Sequence, residues 1–334
     1  MEYRNFGRTG MKVSQLALGC MMFGGRTGEE ESIAIITQAL EQGINILDTA
    51  NVYSQGRSEE VVGKALQATG LRDQLIIATK VHGRTDHKDP NAQGNHRRHI
   101  IDECERSLQR LQTDHIDLYQ LHRPSSDIPI DETLRAFDDL IRAGKVRYIG
   151  TSTYASWQVL ESLWVSKEYG LNRVVSEQPP YHLLDRRAER ELIPMAMSYG
   201  LAVMPWSPLA GGVLSGKYSR GESAPEDARF QAKPGKDNMN LNDAAMDVVD
   251  VVKELAEEKA CTPSQLSLAW CAAQDGVTCP VIGPRTMEQL VDNLGALSVT
   301  INDEDRLRLD AAAPPGRATT PFYFADFGPH WFRW

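Results

Sequence analysis

The 334-residue sequence is poor in the features that mark secreted, membrane-bound or metal-dependent proteins. Its cysteines, Cys20, Cys104, Cys261, Cys271 and Cys279, form an odd set with no CxxC spacing, so no disulfide framework is encoded and free thiols in a reducing compartment are expected. The opening MEYRNFGRTGMKV has no hydrophobic signal core, and no apolar run approaches the length of a membrane span. These absences predict a soluble, cytoplasmic protein with no membrane partner. Lys and Arg (36) are interspersed with Asp and Glu (45), for a formal net charge of −9, which leaves no basic arm for nucleic acid. Histidines do not gather at ligand spacing either. His82 and His87 fall in a polar stretch, His96 and His99 flank two arginines, and no HxH closes the first apolar run, so no metal is expected.

Two further absences narrow the chemistry. GxGxxG does not occur; LALGCMMFGGRTGEE has glycines at the wrong spacing, which argues against a doubly wound dinucleotide fold. No tyrosine has a lysine four residues later, which excludes the YxxxK pattern of short-chain dehydrogenases.

What the sequence does contain is a repeated alternation. Short apolar runs of strand character, Gln15 to Gly19, Asn45 to Asp48, Leu75 to Lys80, Ile116 to His122, Tyr148 to Ser152, Val174 to Gln178, Ala202 to Trp206 and Thr278 to Ile282, are separated by amphipathic stretches. Ile33, Ile36, Leu40 and Ile101, Cys104, Leu108, Leu111 give such stretches one apolar stripe. Thr262-Pro263 with Gln265, and Thr286 with Gln289, read as capping boxes at helix starts. Eight alternations predict an α/β fold, a (β/α)8 TIM barrel forming a single domain over 1–334. Gly7 and Gly10 bracket a turn that makes the first dozen residues a candidate β-hairpin cap on the barrel bottom. The long interval before the last strand has room for a polar loop, Ser219 to Asn242, and an extra helix; the loop reads as a lid or surface excursion.

Asp48, Lys80 and His122 each close an apolar run, and Tyr53 follows the second run in DTANVYSQG. A barrel gathers residues at the carboxyl ends of its strands onto one face, so these four can share a pocket. Tyrosine in water, with a pKa of ~10, gives up its proton reluctantly; a neighbouring ammonium stabilises phenolate, and a carboxylate keeps that ammonium charged. Tyr53 would then be a general acid tuned by Lys80 and Asp48, with a neutral His122 orienting a carbonyl oxygen. Taken singly, each has a plainer alternative: a turn cap for Asp48, a surface lysine for Lys80, a loop histidine for His122 before Arg123-Pro124.

After the eighth run, Gly283-Pro284-Arg285-Thr286 opens a helix whose free amides and dipole suit a phosphate. Arg285 with the Thr286 hydroxyl would favour a 2′-phosphate, placing Gln289 and Asn293 toward an adenosine and making the cofactor NADP(H). A capped surface helix with a solvated arginine is the alternative. Gly211 through Lys217 satisfies GxxxxGK, but Tyr218 stands where a magnesium-binding Ser or Thr is required, so a nucleotide-triphosphate loop is rejected.

Over nearly the whole chain, LDTANVYSQGRSEEVVGKAL, IIATK, SLQRLQTDHIDLYQLHRP, GTS, EQPPY, WSPLAGGVLSGKY and VIGPRTMEQLVDNLGAL resemble the aldo-keto reductase superfamily. The resemblance implies NADP(H)-dependent reduction of an aldehyde or ketone, with Asp48, Tyr53, Lys80 and His122 as the catalytic tetrad. It further implies that Ser152 and Gln178 bond the nicotinamide carboxamide and that Trp206 stacks on the ring. The cofactor set is completed by Gly19, Met21, Asp48, the pyrophosphate segment Ser207, Pro208, Leu209, Gly211, Leu214, Gly216 and Lys217, and Gly283, Arg285, Thr286, Gln289 and Asn293. Relatives often have Asn after the serine; Thr153 stands here and is left out. The substrate would meet Tyr53, His122 and Phe23 at a mouth formed by Met21 to Phe23, the His82 to Asn95 loop and the aromatic tail Phe322, Tyr323, Phe324, Trp331 and Trp334, a wall suited to apolar or aromatic carbonyls. Some proteins of similar sequence are NADP(H)-binding auxiliary subunits of membrane channels, which supplies the alternative function. A homo-oligomer is compatible with either.

Overall fold

The computed structural model describes residues 1–220 and 241–319. Most of the Ser219 to Asn242 loop and all the tail aromatics lie outside the described residues. All eight expected runs form strands of one parallel sheet: β3 (Ala17–Gly19), β4 (Ile46–Asp48), β5 (Ile76–Val81), β6 (Ile116–Leu121), β7 (Val146–Ser152), β8 (Val174–Gln178), β9 (Ala202–Val203) and β10 (Val281–Ile282). They pair in chain order, with β10 returning to β3, and parallel bridges Val203↔Val277 and Trp206↔Val281 join the remaining edges. The result is a (β/α)8 TIM barrel.

The seventh and eighth strands are shorter than their apolar runs predicted. Pro205 and Pro280 have no N–H to give to a ladder, so pairing continues only through single bonds such as Val281 N–H to Pro205 O at 2.8 Å.

Between strands run α1 (Glu29–Glu41), α2 (Arg57–Thr69), α3 (Arg97–Leu111), α4 (Ile130–Arg142), α5 (Ser156–Tyr169) and α6 (Leu192–Tyr199); α7 (Asp243–Glu258) and α8 (Pro263–Ala272) precede β10, and α9 (Met287–Gly295) and α10 (Asp303–Ala312) follow it. The extra helix before the last strand is therefore present. Stripes are shifted slightly from expectation: α1 buries Ile35, Ile36 and Ala39, with Ile33 and Leu40 at the margin, and α3 buries Ile100 beside Cys104, Leu108 and Leu111. Thr262 and Gln265 make the reciprocal box at α8. At α9 only half of it forms. The Thr286 side chain accepts from Gln289 N–H, but Gln289 Oε1 takes Arg285 N–H at 2.8 Å instead of its own cap.

Strand alternation sorts the core into two layers. One apolar cluster lies between sheet and helices; a smaller one, including Ala17, Ile46, Ala78, Leu118, Ala202 and Cys279, fills the barrel interior. Phe6 and Val13 belong to that interior cluster because β1 (Tyr3–Asn5) and β2 (Lys12–Ser14) form the expected antiparallel hairpin beneath it. Gly7 (φ +53) is required at this join, since an added Cβ would lie 2.6 Å from Gly200 O. Arg4 clamps the plug by donating to Ala272 O at 2.8 Å and Thr278 O at 3.3 Å. With the bottom plugged, polar residues at the other strand ends are left to line the open rim.

Candidate active site

The inward phase of the strands continues upward from apolar to polar. Ile46 is followed by Asp48, Ala78 by Lys80, and Leu118 by Gln120 and His122. Lys80 is completely buried, which disposes of the surface-lysine alternative. Its ammonium has three N–H groups and three acceptors: Asp48 Oδ2 at 2.5 Å, Thr49 O at 2.8 Å and the Tyr53 hydroxyl at 3.4 Å. Burial alone would push this lysine down, but the charge of Asp48, joined by Tyr53, outweighs it and holds Lys80 above the ordinary value. Because Lys80 donates to the tyrosine oxygen, the phenolic proton is directed elsewhere.

His122 lies beside the same hydroxyl. Its Nε2 is 3.4 Å from the Tyr53 hydroxyl, and the rings meet edge to face at a centroid separation of 5.4 Å. Burial, then the positive charges of Lys80 and Arg123, keep His122 well below the ordinary histidine value, so the ring is neutral at pH 7. Asp48 Oδ1 accepts from Gln178 Nε2 at 2.8 Å and Gln120 Nε2 at 3.1 Å. Gln120 escaped sequence reading because it sits inside an apolar run; its phase, two residues before His122, was the available signal.

The loop carrying Tyr53 is tied down from behind. Asn51 Nδ2 donates to the buried Glu103 of α3 at 2.9 Å, and the Thr49 and Ser58 hydroxyls are 2.7 Å apart. Ser54 (φ 50), Gln55 (φ 60) and Gly56 (φ 91) then turn left-handed into α2, a sparsely populated path for two of the three. Similar strain appears across the rim at Thr153 (φ 62), a β-branched residue. Arg123 supports it, donating from Nη1 to Thr153 Oγ1 at 3.1 Å and to His122 O at 2.6 Å. Behind Thr153, the buried Glu177 accepts Tyr154 N–H at 3.1 Å, and burial, only partly offset by its hydrogen bonds, pushes its carboxyl up to about 8.

From Asp48, Tyr53 and His122 a cavity of about 660 Å³ extends past Ser152, Gln178 and Trp206 to Arg285, Gln289 and Asn293. Gly19, Met21, Ser207, Pro208, Leu209, Gly211, Lys217 and Gly283 also line it, as expected, whereas Leu214, Gly216 and Thr286 do not. Arg26, Arg123, Gly212 and Asp292 line it without having been anticipated. Phe23 is fully buried in the core between sheet and helices, and the structure does not bring it to the cavity. Nor does the His82 to Asn95 loop reach this mouth; it borders a separate cavity. The amides at the start of α9 are less free than the sequence suggested: Met287 N–H is taken by Glu31 Oε1 at 3.0 Å, while Arg285 N–H is held by Gln289.

The walls suit a long ligand. Ser207, Ala210, Gly211, Gly212 and Gly216 all have positive φ, which folds the backbone after β9 tightly along one side. An added Cβ at Gly283 would meet nothing within 4 Å, so the backbone there faces open space. Among the described residues no group of His, Cys, Asp and Glu could hold a metal ion, and no helix is long and apolar enough to cross a membrane. The five cysteines are free.

Residues 15–314 match the model of the aldo/keto reductase family. The chain is 38% identical to an uncharacterized oxidoreductase, YrpG, of Bacillus subtilis (strain 168), over 97% of this chain and 100% of that relative. It is 36% identical to a probable voltage-gated potassium channel subunit beta of Oryza sativa subsp. japonica and 35% to one of Arabidopsis thaliana, in each case over 90% of this chain and 92% of the relative.

Proposed function

The chain belongs to the aldo/keto reductase family, and from that premise we propose that it reduces an aldehyde or ketone to an alcohol at the expense of NADPH, with Tyr53 as general acid. The observation that carries this reading is the buried Lys80, whose ammonium is bonded at once to Asp48 and to the Tyr53 hydroxyl. Donation from Lys80 favours the phenolate that Tyr53 becomes on giving up its proton, so the acid is strengthened where charge develops. Neutral His122 stands within reach of the same oxygen and orients the carbonyl.

Asp48, Ser152, Gln178 and Trp206 at one end, the Ser207 to Lys217 segment in the middle and Arg285, Gln289 and Asn293 at the other would hold the dinucleotide. When bound, a reduced nicotinamide supplies the hydride that the carbonyl carbon accepts. The chain itself supplies the rest. Gln178 Nε2 is committed to Asp48, leaving Oε1 to accept a carboxamide N–H, and Ser152 Oγ donates to Gln178 O at 2.9 Å and takes Thr153 Oγ1 as donor at 3.3 Å, leaving one lone pair for a ligand. Trp206 offers an aromatic face, steadied by the Arg123 guanidinium 6.0 Å from its centroid. Tyr53 transfers its proton to the carbonyl oxygen as that oxygen gains charge, and water restores it. Arg285 favours NADPH over NADH by pairing with the 2′-phosphate.

The test is consumption of NADPH absorbance with a panel of aldehydes and ketones. Tyr53→Phe is expected to lower kcat by ~10²–10⁴ while NADPH binding, followed by protein fluorescence, stays within a factor of two of wild type. Turnover surviving in that variant would remove Tyr53 from its role. The relatives named as channel subunits favour a second reading, an NADP(H)-binding auxiliary subunit; tight NADPH binding with no consumption on any carbonyl is its signature.

A further inference from the structure

Behind the Lys80–Tyr53 pair, on the helix side of the sheet, two carboxylates are completely buried, Glu59 of α2 and Glu103 of α3. One guanidinium lies between them. Arg110, in the last turn of α3 with its side chain 20% exposed, donates from Nε to Glu59 Oε2 at 2.6 Å and brings Nη2 to 3.5 Å from Glu103 Oε2. Each carboxylate also reaches a neighbour of the tetrad. Glu59 Oε1 accepts from Thr79 Oγ1 at 2.5 Å, on the residue before Lys80, and Glu103 Oε2 accepts from Asn51, two residues before Tyr53. The stretch from Asn51 to Glu59, which carries Tyr53, is therefore held at both ends through Arg110.

That stretch needs holding. Ser54 (φ 50) and Gln55 (φ 60) stand in the left-handed region, where only glycine, asparagine and aspartate settle easily, and Gly56 (φ 91) completes the turn. Unsupported, such a turn would relax toward right-handed backbone and carry Tyr53 with it. Two walls oppose that. On one side, a Cβ added at Gly25 would lie 2.5 Å from Ser54 Oγ, so the loop after β3 presses directly on the turn. On the other, a Cβ added at Gly56 would lie 3.0 Å from Arg110 Cδ and 3.3 Å from its Nε, so the arginine packs directly against the turn. The tolerance for movement is small. Lys80 Nζ and the Tyr53 hydroxyl are 3.4 Å apart, already long for a hydrogen bond, and a drift of a few tenths of an ångström would break it.

We infer that Arg110 is a positioning residue for the reduction: by pairing with Glu59 and Glu103 at once and packing against Gly56, it keeps the strained turn closed and the Tyr53 hydroxyl within reach of Lys80. This rests on the carbonyl-reductase reading above, in which Tyr53 is the general acid. Arg110 does not line the large cavity, so its effect on rate passes through the turn and not through dinucleotide binding. The role also calls for arginine. A planar fork serves two carboxylates from different edges, whereas a lysine ammonium is a point charge at the end of a flexible stem.

The experiment measures kcat with benzaldehyde, or with the panel carbonyl that wild type consumes fastest, and NADPH Kd by fluorescence, in Arg110→Lys, Gln55→Gly and the double variant. Arg110→Lys keeps a positive charge between the carboxylates and loses the fork; kcat should fall at least ~10-fold with NADPH Kd within a factor of two of wild type. Gln55 is exposed, so Gln55→Gly removes left-handed strain and no packing. Alone it should leave kcat within a factor of two, and added to Arg110→Lys it should restore most of the lost rate. An arginine that only stabilised the fold would change the melting temperature and not the kcat of the folded enzyme. Gly56→Ala, which spares both ion pairs and presses a methyl group against Arg110, should reproduce the loss and stands in should Arg110→Lys not fold. A kcat within a factor of two of wild type in the folded variant, or a loss that Gln55→Gly does not restore, overturns the assignment while leaving the reductase reading intact. Consumption of no carbonyl by wild type overturns the reductase reading, and this inference with it.

Discussion

The two ends of the large cavity are built on opposite plans. At the tetrad end, buried side chains saturate one another: Lys80 fills its three donors, and Asp48 accepts from Lys80, Gln178 and Gln120. Away from the tetrad, backbone does much of the shaping, through left-handed Gly211 and Gly212 and the open face of Gly283, with Arg285 on the same wall. Proton transfer needs atoms fixed to fractions of an ångström, which cross-bonded buried groups provide. A long ligand needs close backbone approach along its length, which glycine permits. Substitutions at the first end should therefore cost stability and chemistry together, whereas those at the second should separate binding from stability.

Lys80→Met makes the sharpest break at the tetrad end. It leaves Asp48 buried without its cation, for an expected loss of about 3–5 kcal/mol, and removes the donor to Tyr53, so kcat should fall at least ~10²-fold. Chemical denaturation and steady-state rates measure the two effects. Adding Asp48→Asn should recover much of the stability by removing the stranded charge and none of the rate. Recovery of both would mean that the lysine acts only as a structural partner.

Glu177 offers a milder perturbation, one removed from the chemistry. Its carboxyl stands at about 8 in the folded chain against an ordinary 4.5. Below 4.5 the group is protonated in both states and costs nothing. As pH rises toward 8, the unfolded chain releases a proton that the folded chain retains, so stability falls; above 8 the cost is complete. Glu177→Gln keeps an acceptor for Tyr154 N–H and removes the ionisation. It should match wild type near pH 4 and exceed it at pH 8 by a margin on the order of a few kcal/mol. Parallel stability curves from pH 4 to 9 would show that the buried carboxyl has no such cost.

The same contrast explains what the sequence disclosed. Strand ends were legible because a polar residue closing an apolar run stands out, as Asp48, Lys80 and His122 do, and the long motifs carried by resemblance most of the residues that line the rest of the large cavity. Gln120 and Glu177 were hidden inside strands, where partners many residues away make polarity tolerable. The pairing of Thr153 with Arg123 depends on a left-handed turn that no pattern announces at a threonine. Phe23 looked like a pocket wall because its neighbours Met21 and Met22 are; the turn between Met22 and Thr27, closed by Thr27 N–H to Met22 O at 3.0 Å, sends it into the core. The second cavity required the loops after β5 and β6 to be placed against each other, information held in tertiary contacts and not in local spacing.

Gly283→Ala carries the smallest stability effect and isolates the far end most cleanly. A methyl group there contacts nothing within 4 Å, and the residue is not in the left-handed region, so neither packing nor backbone strain opposes it. Reduced freedom of the unfolded chain should even stabilise the protein by ~0.4–1 kcal/mol. Yet Gly283 lines the large cavity, so the methyl occupies space a dinucleotide would use, and NADPH Kd should rise several-fold. A fluorescence titration beside a thermal melt reads both: weaker binding with an equal or higher Tm is the expected pair. Unchanged affinity would place the ligand away from Gly283, and a fall in Tm would mean that this end, like the tetrad, is held by packing that leaves no room for a methyl.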